Sequence, residues 1–446
     1  MNRMGILRTA VVLMVCLGAA GPLWGETGRE YSLTDLYRIA LSRSEAIGIA
    51  EYDVAIAERG RDKARAVLRP GVTAFGSHTR YSEDKTAGGM SVQPSWTSDW
   101  GVQVSQSVTL NGREWKSLRV SERDIDRAGY DLDTVRADQL FDVATAYYDV
   151  LKAIKAVEIT RANVRRLTTH LDAVKTRLEL EDVAKTALYR AEAELSQARA
   201  DLISAENGLK LARAVLVRVT GLPRIDRIED PGLRESLTFT GRLADLKRTA
   251  LANRPELKSR EVQAEMAETG IDIAKGAYWP VVTAEGTYLD AAQDPDSDFT
   301  ADDSLSVGVT ISMPLYDGGT RRADVAEARA RRRQSRLGIS ATAKSIAVEV
   351  EQVFLELKTH AGVLTSLRDQ LRSSQENFRA VSRQFEYGLA TSVDVMDANT
   401  VLVTSEKRLI ESRYDFQLGL LKLKRATGTF LSGVEDALRG GDDGVR

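Results

Sequence analysis

Two long stretches of the chain place apolar residues at spacings of three and four, the pattern of helices that bury one stripe. The first predicts a helix from about Glu114 to Leu178, with a shorter returning helix after it. Its apolar positions are Leu140, Val143, Tyr147, Val150, Ile154, Val157, Val164, Leu167, Leu171, Val174 and Leu178. At 1.5 Å per residue, a helix of roughly 65 residues is about 100 Å long. Such a helix suits a stalk or tunnel wall crossing an aqueous compartment.

The second stretch repeats this pattern, and the returning helices complete it. Its apolar positions are Val350, Leu357, Leu364, Leu371, Phe378, Val381 and Phe385. The first returning helix alternates leucine with alanine, at Leu195, Leu202, Leu209 and Leu216 and at Ala191, Ala198, Ala205 and Ala212. The seam is the apolar stripe along which two helices of a coiled coil meet. Small residues at every second position of this seam let the two backbones approach closely. The helices are therefore predicted to form antiparallel coiled coils.

Short segments with a two-residue period predict strands beside the helices. From Trp100 to Leu110, and again from Leu305 to Leu315, apolar residues alternate with polar or small ones. The expected partners are Val72 to Tyr81 and Val282 to Leu289, whose apolar and polar faces the sequence leaves open. Aromatic residues stand at the strand ends, as in an interfacial girdle or a soluble core: Tyr81, Trp96, Trp100, Trp115, Tyr278, Trp279, Tyr288 and Tyr316.

The chain contains two copies of one unit. The segment from Leu33 to Gly76 recurs 210 residues later, and the segment from Gly101 to Gly221 recurs 207 residues later without a gap. Each copy is predicted to contain, in this order, a helix, a strand, a loop, a second strand, a long helix, a tip and a returning helix. The predicted organisation is a signal peptide at 1–25, repeats at 26–221 and 242–428, a joining segment at 222–241 and a C-terminal tail at 429–446.

The N-terminus has the layout of a secretory signal peptide: Arg3 and Arg8, then an apolar run from Ala10 to Ala20. Cleavage near Ala20 or Gly21 is the alternative to cleavage near residue 25. The only cysteine, Cys16, lies inside the run, so the mature chain is expected to lack a disulfide and a lipid anchor.

Composition narrows the possible partners and chemistry. A net charge of −2 with 28% charged residues gives no basic excess, so no nucleic-acid partner is expected. The histidines are His78, His170 and His360, and none has a ligand-spaced partner beside it. We interpret all three as structural or solvent-facing. The sequence predicts no metal, no cofactor and no catalytic residue.

Three segments make the chain resemble the TolC-like outer membrane factors. They are the opening LTDLYRIALSRSEAI with its copy LADLKRTALANRPEL, the strand ending SMPLYDGG, and the tip FEYGLATSVDVMDA. The resemblance implies a mainly α fold with a small β part, in which a long helical barrel reaches into the periplasm. It also implies a homotrimer in which four strands per chain complete a 12-stranded barrel in outer-membrane lipid. Several chains are needed on physical grounds too, because open strand edges are not tolerated in lipid.

The implied function is the exit duct of a tripartite efflux or type I secretion system. The implied partners are a periplasmic membrane-fusion adaptor and an inner-membrane pump of the RND or ABC type. The cargo, the type of system and the identities of the pump and adaptor stay open. A periplasmic coiled-coil scaffold without a pore is the alternative, although it leaves the alternating strands unexplained.

The resemblance also assigns roles to the two tips. The adaptor-docking residues are Gly388, Leu389 and Ala390 on one tip and Glu181, Asp182 and Val183 on the other. Gly388 is expected in the left-handed conformation between two antiparallel helices. The first tip departs from the family, because Glu181 and Ala187 replace the usual glycine and aspartate. Phe385 and Ala390 stand where some relatives carry a tyrosine and a locking arginine.

Asp394 and Asp397 are the candidate gate at the periplasmic entrance. They are three residues apart and project from nearly the same helix face. Near a helix N-terminus they also complement the helix dipole, which is the alternative interpretation. Threefold symmetry would produce a ring of six carboxylates, and such a ring favours cations and can bind divalent ions. Mutual repulsion in that ring is expected to raise the pKa of some of the carboxyl groups.

Overall fold

The structure, a computed structural model, describes residues 30–88, 90–232, 241–296 and 302–440. The predicted signal peptide and its alternative cleavage sites lie outside the described residues. The helices of the described part are α1 Leu33–Arg43, α2 Glu45–Ala66, α3 Arg113–Glu179, α4 Lys185–Thr220, α5 Leu243–Asn253, α6 Pro255–Lys275, α7 Thr320–Glu386, α8 Ser392–Ala426 and α9 Phe430–Gly440.

The strands follow the same repeat. They are β1 Glu30–Tyr31, β2 Gly71–Arg80, β3 Lys85–Ala87, β4 Met90–Gln93, β5 Trp96–Thr109, β6 Arg227–Ile228, β7 Val281–Asp294 and β8 Asp303–Ser312. The four long strands form one antiparallel sheet in the order β2-β5-β7-β8. Both predicted hairpins are therefore confirmed, and β5 and β7 join the two repeats.

The long helices form two antiparallel hairpins, α3 with α4 and α7 with α8. The predicted seam is confirmed, because Leu140, Val143, Val174, Val350 and Leu357 are all buried. Helix α3 also packs against α8, so the hairpins lie side by side. Both long helices begin after a glycine with positive φ, and α3 ends at Glu179, one residue beyond its predicted end at Leu178.

The strand register assigns the faces that the sequence left open. Ala74, Val102, Tyr288 and Leu305 are directly cross-strand, which places them on one face. One step along, Thr73, Gln103, Thr287 and Ser306 share the opposite face. One face of the sheet is thus largely apolar and the other largely polar, with exceptions such as Phe75, whose ring lies over Gly101.

Several predicted strand bounds were wrong. Strands β5 and β7 continue beyond Trp100 and Leu289, because they pair with each other over their whole lengths. Strand β8 ends at Ser312 and not at Leu315, because Ser312 pairs with Val281, the first residue of β7, and Pro280 before it has no amide hydrogen to donate. A small hairpin, β3 with β4, lies in the loop before β5 and was not predicted.

The joining segment and the C-terminal tail contribute to one core. Ile225 and Ile228 of the joining segment are buried there, and β6 pairs in parallel with β1. The tail, for which no secondary structure was predicted, contains α9, whose Phe430 packs edge-on against Tyr37 and Phe141. Tyr147 donates a hydrogen bond to the carbonyl of Glu229, which ties the segment to α3.

Among the described helices, none combines the length and the apolar character needed to cross a bilayer.

Candidate gate and docking tip

The far ends of the two helical hairpins meet in one apolar cluster. Its buried members come from α3, α4, α7 and α8, and they are Leu167, Leu171, Val174, Ala191, Leu195, Ala198, Phe385 and Val395. Val183 and Ala390, one from each predicted docking tip, pack against it. The structure therefore brings the two predicted tips together at one end of the molecule.

Both turns have the same backbone geometry. At the first, the amide of Asp182 donates to the carbonyl of Arg177 across 2.9 Å; at the second, the amide of Leu389 donates to the carbonyl of Gln384 across 2.8 Å. This bond closes a helix C-terminus when the intervening residue is left-handed. Gly388 has φ +76°, as predicted, and Glu181 takes the equivalent position with φ +60°. Within the described chain, Glu181 is the one non-glycine residue with positive φ.

Only the second turn ends in a side-chain cap. The Thr391 hydroxyl accepts from the amide of Asp394 at 3.3 Å, and the Asp394 carboxylate accepts from the Thr391 amide at 2.8 Å. Each side chain thus satisfies a backbone donor of the first turn of α8. The equivalent residues at the start of α4, Ala184 and Ala187, make no such bonds.

The candidate gate carboxylates differ in their local partners. Asp394 and Asp397 are both exposed on α8, whereas Val395, Ala398 and Leu402 of the same helix are buried. The hydroxyl and amide of Thr391 lower the pKa of Asp394 by hydrogen bonding to its charged form. Within one chain, the capping box therefore works against the predicted rise in pKa, which depends on carboxylates of other copies.

Arg177, near the end of α3, links the first hairpin to the second. Its Nη1 donates to the carbonyl of Phe385 at 2.7 Å, and its guanidinium carbon lies 4.8 Å from the centroid of the Phe385 ring. Its Nε is 3.8 Å from Asp182 in the first turn. A Cβ at Gly388 would lie 3.4 Å from Arg177, so the side chain also closes over that turn. One arginine thus contacts both tips.

His170 makes a second link between the hairpins. Its Nε2 is 2.8 Å from the hydroxyl of Ser392, the first residue of α8, and its ring centroid is 5.0 Å from that of Phe385. The imidazole is buried, and burial lowers the pKa of His170. His170 is therefore structural, one of the two interpretations that the sequence left open for it.

The tips end in exposed apolar side chains. Leu389 is 79% exposed, and Leu180 and Tyr387 are exposed as well. Exposed apolar residues clustered at the end of a stalk are typical of a protein–protein contact. Among the described residues, no group of His, Cys, Asp and Glu side chains is arranged to hold a metal ion.

Sequence analysis missed Arg177 and the contacts of His170. Both links join residues more than 200 positions apart, a distance at which periodicity carries no information. The sequence contains one signal for them. The positions equivalent to Arg177 and His170 in the second repeat are Gln384 and Asn377, so the two copies differ there. A break in the repeat at seam positions near the tip indicates a role that only one copy performs.

Comparison with known proteins adds to this geometry. The sequence model of the family described as "Outer membrane efflux protein" matches residues 36–222 and 246–429. The chain is 26% identical to the outer membrane protein TolC of Vibrio cholerae over 74% of this chain and 76% of that protein. It is 22% identical to the outer membrane efflux protein BepC of Brucella suis over 91% of this chain and 87% of that protein.

Solved structures are similar in fold. A membrane protein from Pseudomonas aeruginosa superimposes with a TM-score of 0.79 at 20% identity, over 89% of this chain and 90% of that one. The CmeC outer membrane channel of Campylobacter jejuni gives a TM-score of 0.79 at 14% identity, over 89% and 86%. The chain belongs to the outer membrane efflux protein family and is a duct of the outer membrane.

Proposed function

We propose that three copies of this chain form the exit duct of a tripartite efflux or type I secretion system. The observation that carries the proposal is the sheet β2-β5-β7-β8, which has one largely apolar face and whose two edges are unpaired among the described residues. Unpaired edges are not tolerated in lipid. Three copies would supply twelve strands, an even number that closes into a barrel wide enough for solutes.

The length of the helices supports a periplasmic location. Helices α3 and α7 have 67 residues each, so each spans about 100 Å. This is far more than the thickness of a bilayer. Helices of this length would carry the duct from the outer membrane towards an adaptor and an inner-membrane pump. The role proposed is conduction, without catalysis.

Assembly and membrane integration provide the first test. The purified protein in detergent is expected to have the mass of a trimer by light scattering and to show predominantly helical circular dichroism. It should leave the membrane with detergent and not with salt. A salt-extractable protein, or a monodisperse monomer of the same helicity, would favour the scaffold without a pore.

The gate proposal assigns the periplasmic entrance to Asp394 and Asp397. Both carboxylates are exposed on one side of α8, and a trimer would bring together six of them. The double change Asp394→Asn with Asp397→Asn is expected to weaken cation selectivity and divalent block in single-channel recordings. Glu411→Gln provides the matched control, since Glu411 is exposed on α8 at a greater distance from the tip. Equal effects of both changes would remove the gate assignment.

The docking proposal assigns adaptor binding to the two tips: Glu181, Asp182 and Val183 on one, and Gly388, Leu389 and Ala390 on the other. Leu389→Asp is expected to abolish adaptor crosslinking and export without loss of the trimer, because Leu389 is exposed and belongs to none of the core clusters of the described residues. Ile203→Asp is the control, since Ile203 is exposed on α4 away from the tips. Retained crosslinking in the Leu389 variant would place docking elsewhere.

A further inference from the structure

The first turns of α7 are rich in arginine. Seven of the residues from 321 to 336 are arginines, against two carboxylates. Four of the arginines are paired: Arg321 with Asp317, Arg331 with Glu327, and both Arg332 and Arg336 with Glu268 of α6. Arg322, Arg329 and Arg333 are exposed and have no salt bridge among the described residues. These three cationic side chains are therefore available to a partner outside the chain.

The three free arginines lie on one face of α7. Their spacings are seven and four residues, which place side chains nearly above one another on an α-helix. Arg329 and Arg333 line a cleft of about 1000 Å³ between α6 and α7, and Arg322 lies about two turns nearer the sheet. The two carboxylates of the cleft are already paired, Glu268 with arginines of α7 and Asp272 with a lysine of α6. The cleft is thus a cationic site.

The first repeat does not share this charge. The equivalent positions on α3 carry one aromatic and two acidic residues, Trp115, Glu122 and Asp126. Helix α3 is flanked on both sides, by α2 and by α6, yet all three of these residues are exposed. The arginine face of α7 should therefore stay open when other copies complete the barrel. Its charge is a property of the second repeat alone.

The same face of α3 shows which side of the helical layer the arginines occupy. Farther along α3, this face reaches Ala137 and Ala144, which belong to the core that α3 shares with α1, α9 and the joining segment. Those segments lie on one side of the layer. Inside a duct they would obstruct the lumen, so their side is the outside. The arginine face of α7 is therefore on the outer surface of the duct.

The arginines lie just below the level at which the sheet would enter lipid. Four exposed aromatic residues mark the junction of strands and helices: Trp115, Tyr278, Trp279 and Tyr316. Such residues sit at the level of the lipid headgroups. Arg322 is the third residue of α7, and Arg329 and Arg333 follow about 10 Å and about 16 Å farther along the helix.

The direction of α7 brings these side chains closer to the membrane. Side chains of an α-helix tilt towards its N-terminus, and the N-terminus of α7 is the end that faces the sheet. Arginine also extends its charged head along an apolar surface towards the interface. All three guanidinium groups can therefore approach the layer of lipid phosphates.

We infer that Arg322, Arg329 and Arg333 bind the phosphate groups of anionic phospholipids in the inner leaflet of the outer membrane. Guanidinium groups donate two parallel hydrogen bonds to phosphate oxygens, which makes arginine suited to this contact. A soluble phosphate compound has the same chemistry, but the position beside the aromatic junction favours the lipid. This inference rests on the proposed barrel, because it requires the sheet to lie in lipid, and it adds a lipid-binding site.

Lipid retention by the purified trimer tests the site. The trimer is purified in detergent with equal amounts of phosphatidylglycerol and phosphatidylcholine, and its bound lipids are counted by native mass spectrometry. The wild type should retain several-fold more phosphatidylglycerol, and this preference should weaken as the salt concentration rises. The triple variant Arg322→Gln, Arg329→Gln and Arg333→Gln should lose the preference, because each arginine near an anionic surface strengthens binding about fivefold.

The matched control removes the same charge elsewhere. It replaces three exposed arginines in the half of the first hairpin nearer the tips, Arg165→Gln, Arg190→Gln and Arg199→Gln. This variant should keep the preference for phosphatidylglycerol. The single change Arg329→Gln should reduce the preference partially, and it provides the test if the triple variant does not assemble. Light scattering and circular dichroism check that each variant is a helical trimer.

The outcomes separate the lipid site from a soluble ligand and from the proposed function. Glycerol phosphate that displaces phosphatidylglycerol at equal concentration would show recognition of a soluble phosphate and overturn the lipid assignment. A trimer without the preference, or one whose preference the control variant loses equally, would make the arginines a solvated helix face and leave the duct intact. A wild-type protein that leaves the membrane with salt alone overturns the barrel and the inference together.

Discussion

The two tips share one turn geometry and differ in almost all of their chemistry. Glu181 and Gly388 have nearly the same φ, and the same type of hydrogen bond closes both helix ends. The second tip alone has a capping box and a carboxylate at Asp394. The first tip alone supplies Arg177 and His170, which reach across to the other hairpin.

This difference shows which features the two copies of the repeat have kept in common and which have diverged. Two equal hairpins need the same turn, so the backbone is kept even where glutamate has replaced glycine. Side chains that contact the neighbouring hairpin are under no such constraint. The second tip is held by its neighbour and carries the candidate gate, while the first provides the contacts that hold it.

Loss of Arg177 should have the largest effect on this arrangement. Arg177→Ala removes a charged hydrogen bond and a cation–π contact, together worth about 2–3 kcal/mol. The second tip is expected to separate from the first, seen as faster amide exchange around Phe385 and more open time in single-channel recordings.

Arg165→Ala is the matched control for that change. Arg165 is an exposed arginine on the same helix, and its side chain has no salt bridge within the described residues. If the amides around Phe385 exchange at the same rate in both variants, Arg177 does not hold the tips together.

Acid should loosen the same contact through His170. Burial lowers the pKa of His170, so the unfolded chain binds a proton more readily than the folded one. Its stabilising effect is complete above the unfolded value of about 6.5 and is lost as the pH falls through the lower folded value. Amide exchange near Ser392 should therefore accelerate on acidification. The His170→Gln variant should show a smaller pH dependence of this exchange. If the pH dependence is unchanged, groups other than His170 cause it.

The fold was largely predictable because its signals are local and repeated. Apolar spacing located the seam residues from Leu140 to Val174, and the repeat located both hairpins. The end of β8 and the helix in the C-terminal tail were not found, since both depend on contacts with distant segments. Gly388 was predictable from its turn, whereas Arg177 was not, because its partner lies on the other repeat.

The capping box should have an intermediate effect. Thr391→Ala removes the cap of α8 and is expected to destabilise the second tip by about 1 kcal/mol. The first tip permits the reverse experiment, because Ala184→Thr with Ala187→Asp places the same residues at the start of α4. That double variant should slow amide exchange in the first tip. If exchange there does not change, the box contributes little at the second tip as well.

The smallest predicted effect comes from the backbone of the first turn. A residue with a Cβ is disfavoured at positive φ by about 1–2 kcal/mol, so glycine removes this cost. Part of that gain in stability is offset because glycine has more conformational freedom to lose when the chain folds. Glu181→Gly is therefore expected to stabilise the first tip by about 0.5–1 kcal/mol, measured as slower amide exchange from Leu178 to Val183. Gly388→Ala provides the opposite change at the equivalent position, where the added Cβ also approaches Arg177. The two substitutions should shift their own tips in opposite directions. A destabilised Glu181→Gly variant would mean that the glutamate side chain makes a contact in the assembled duct that compensates for its backbone.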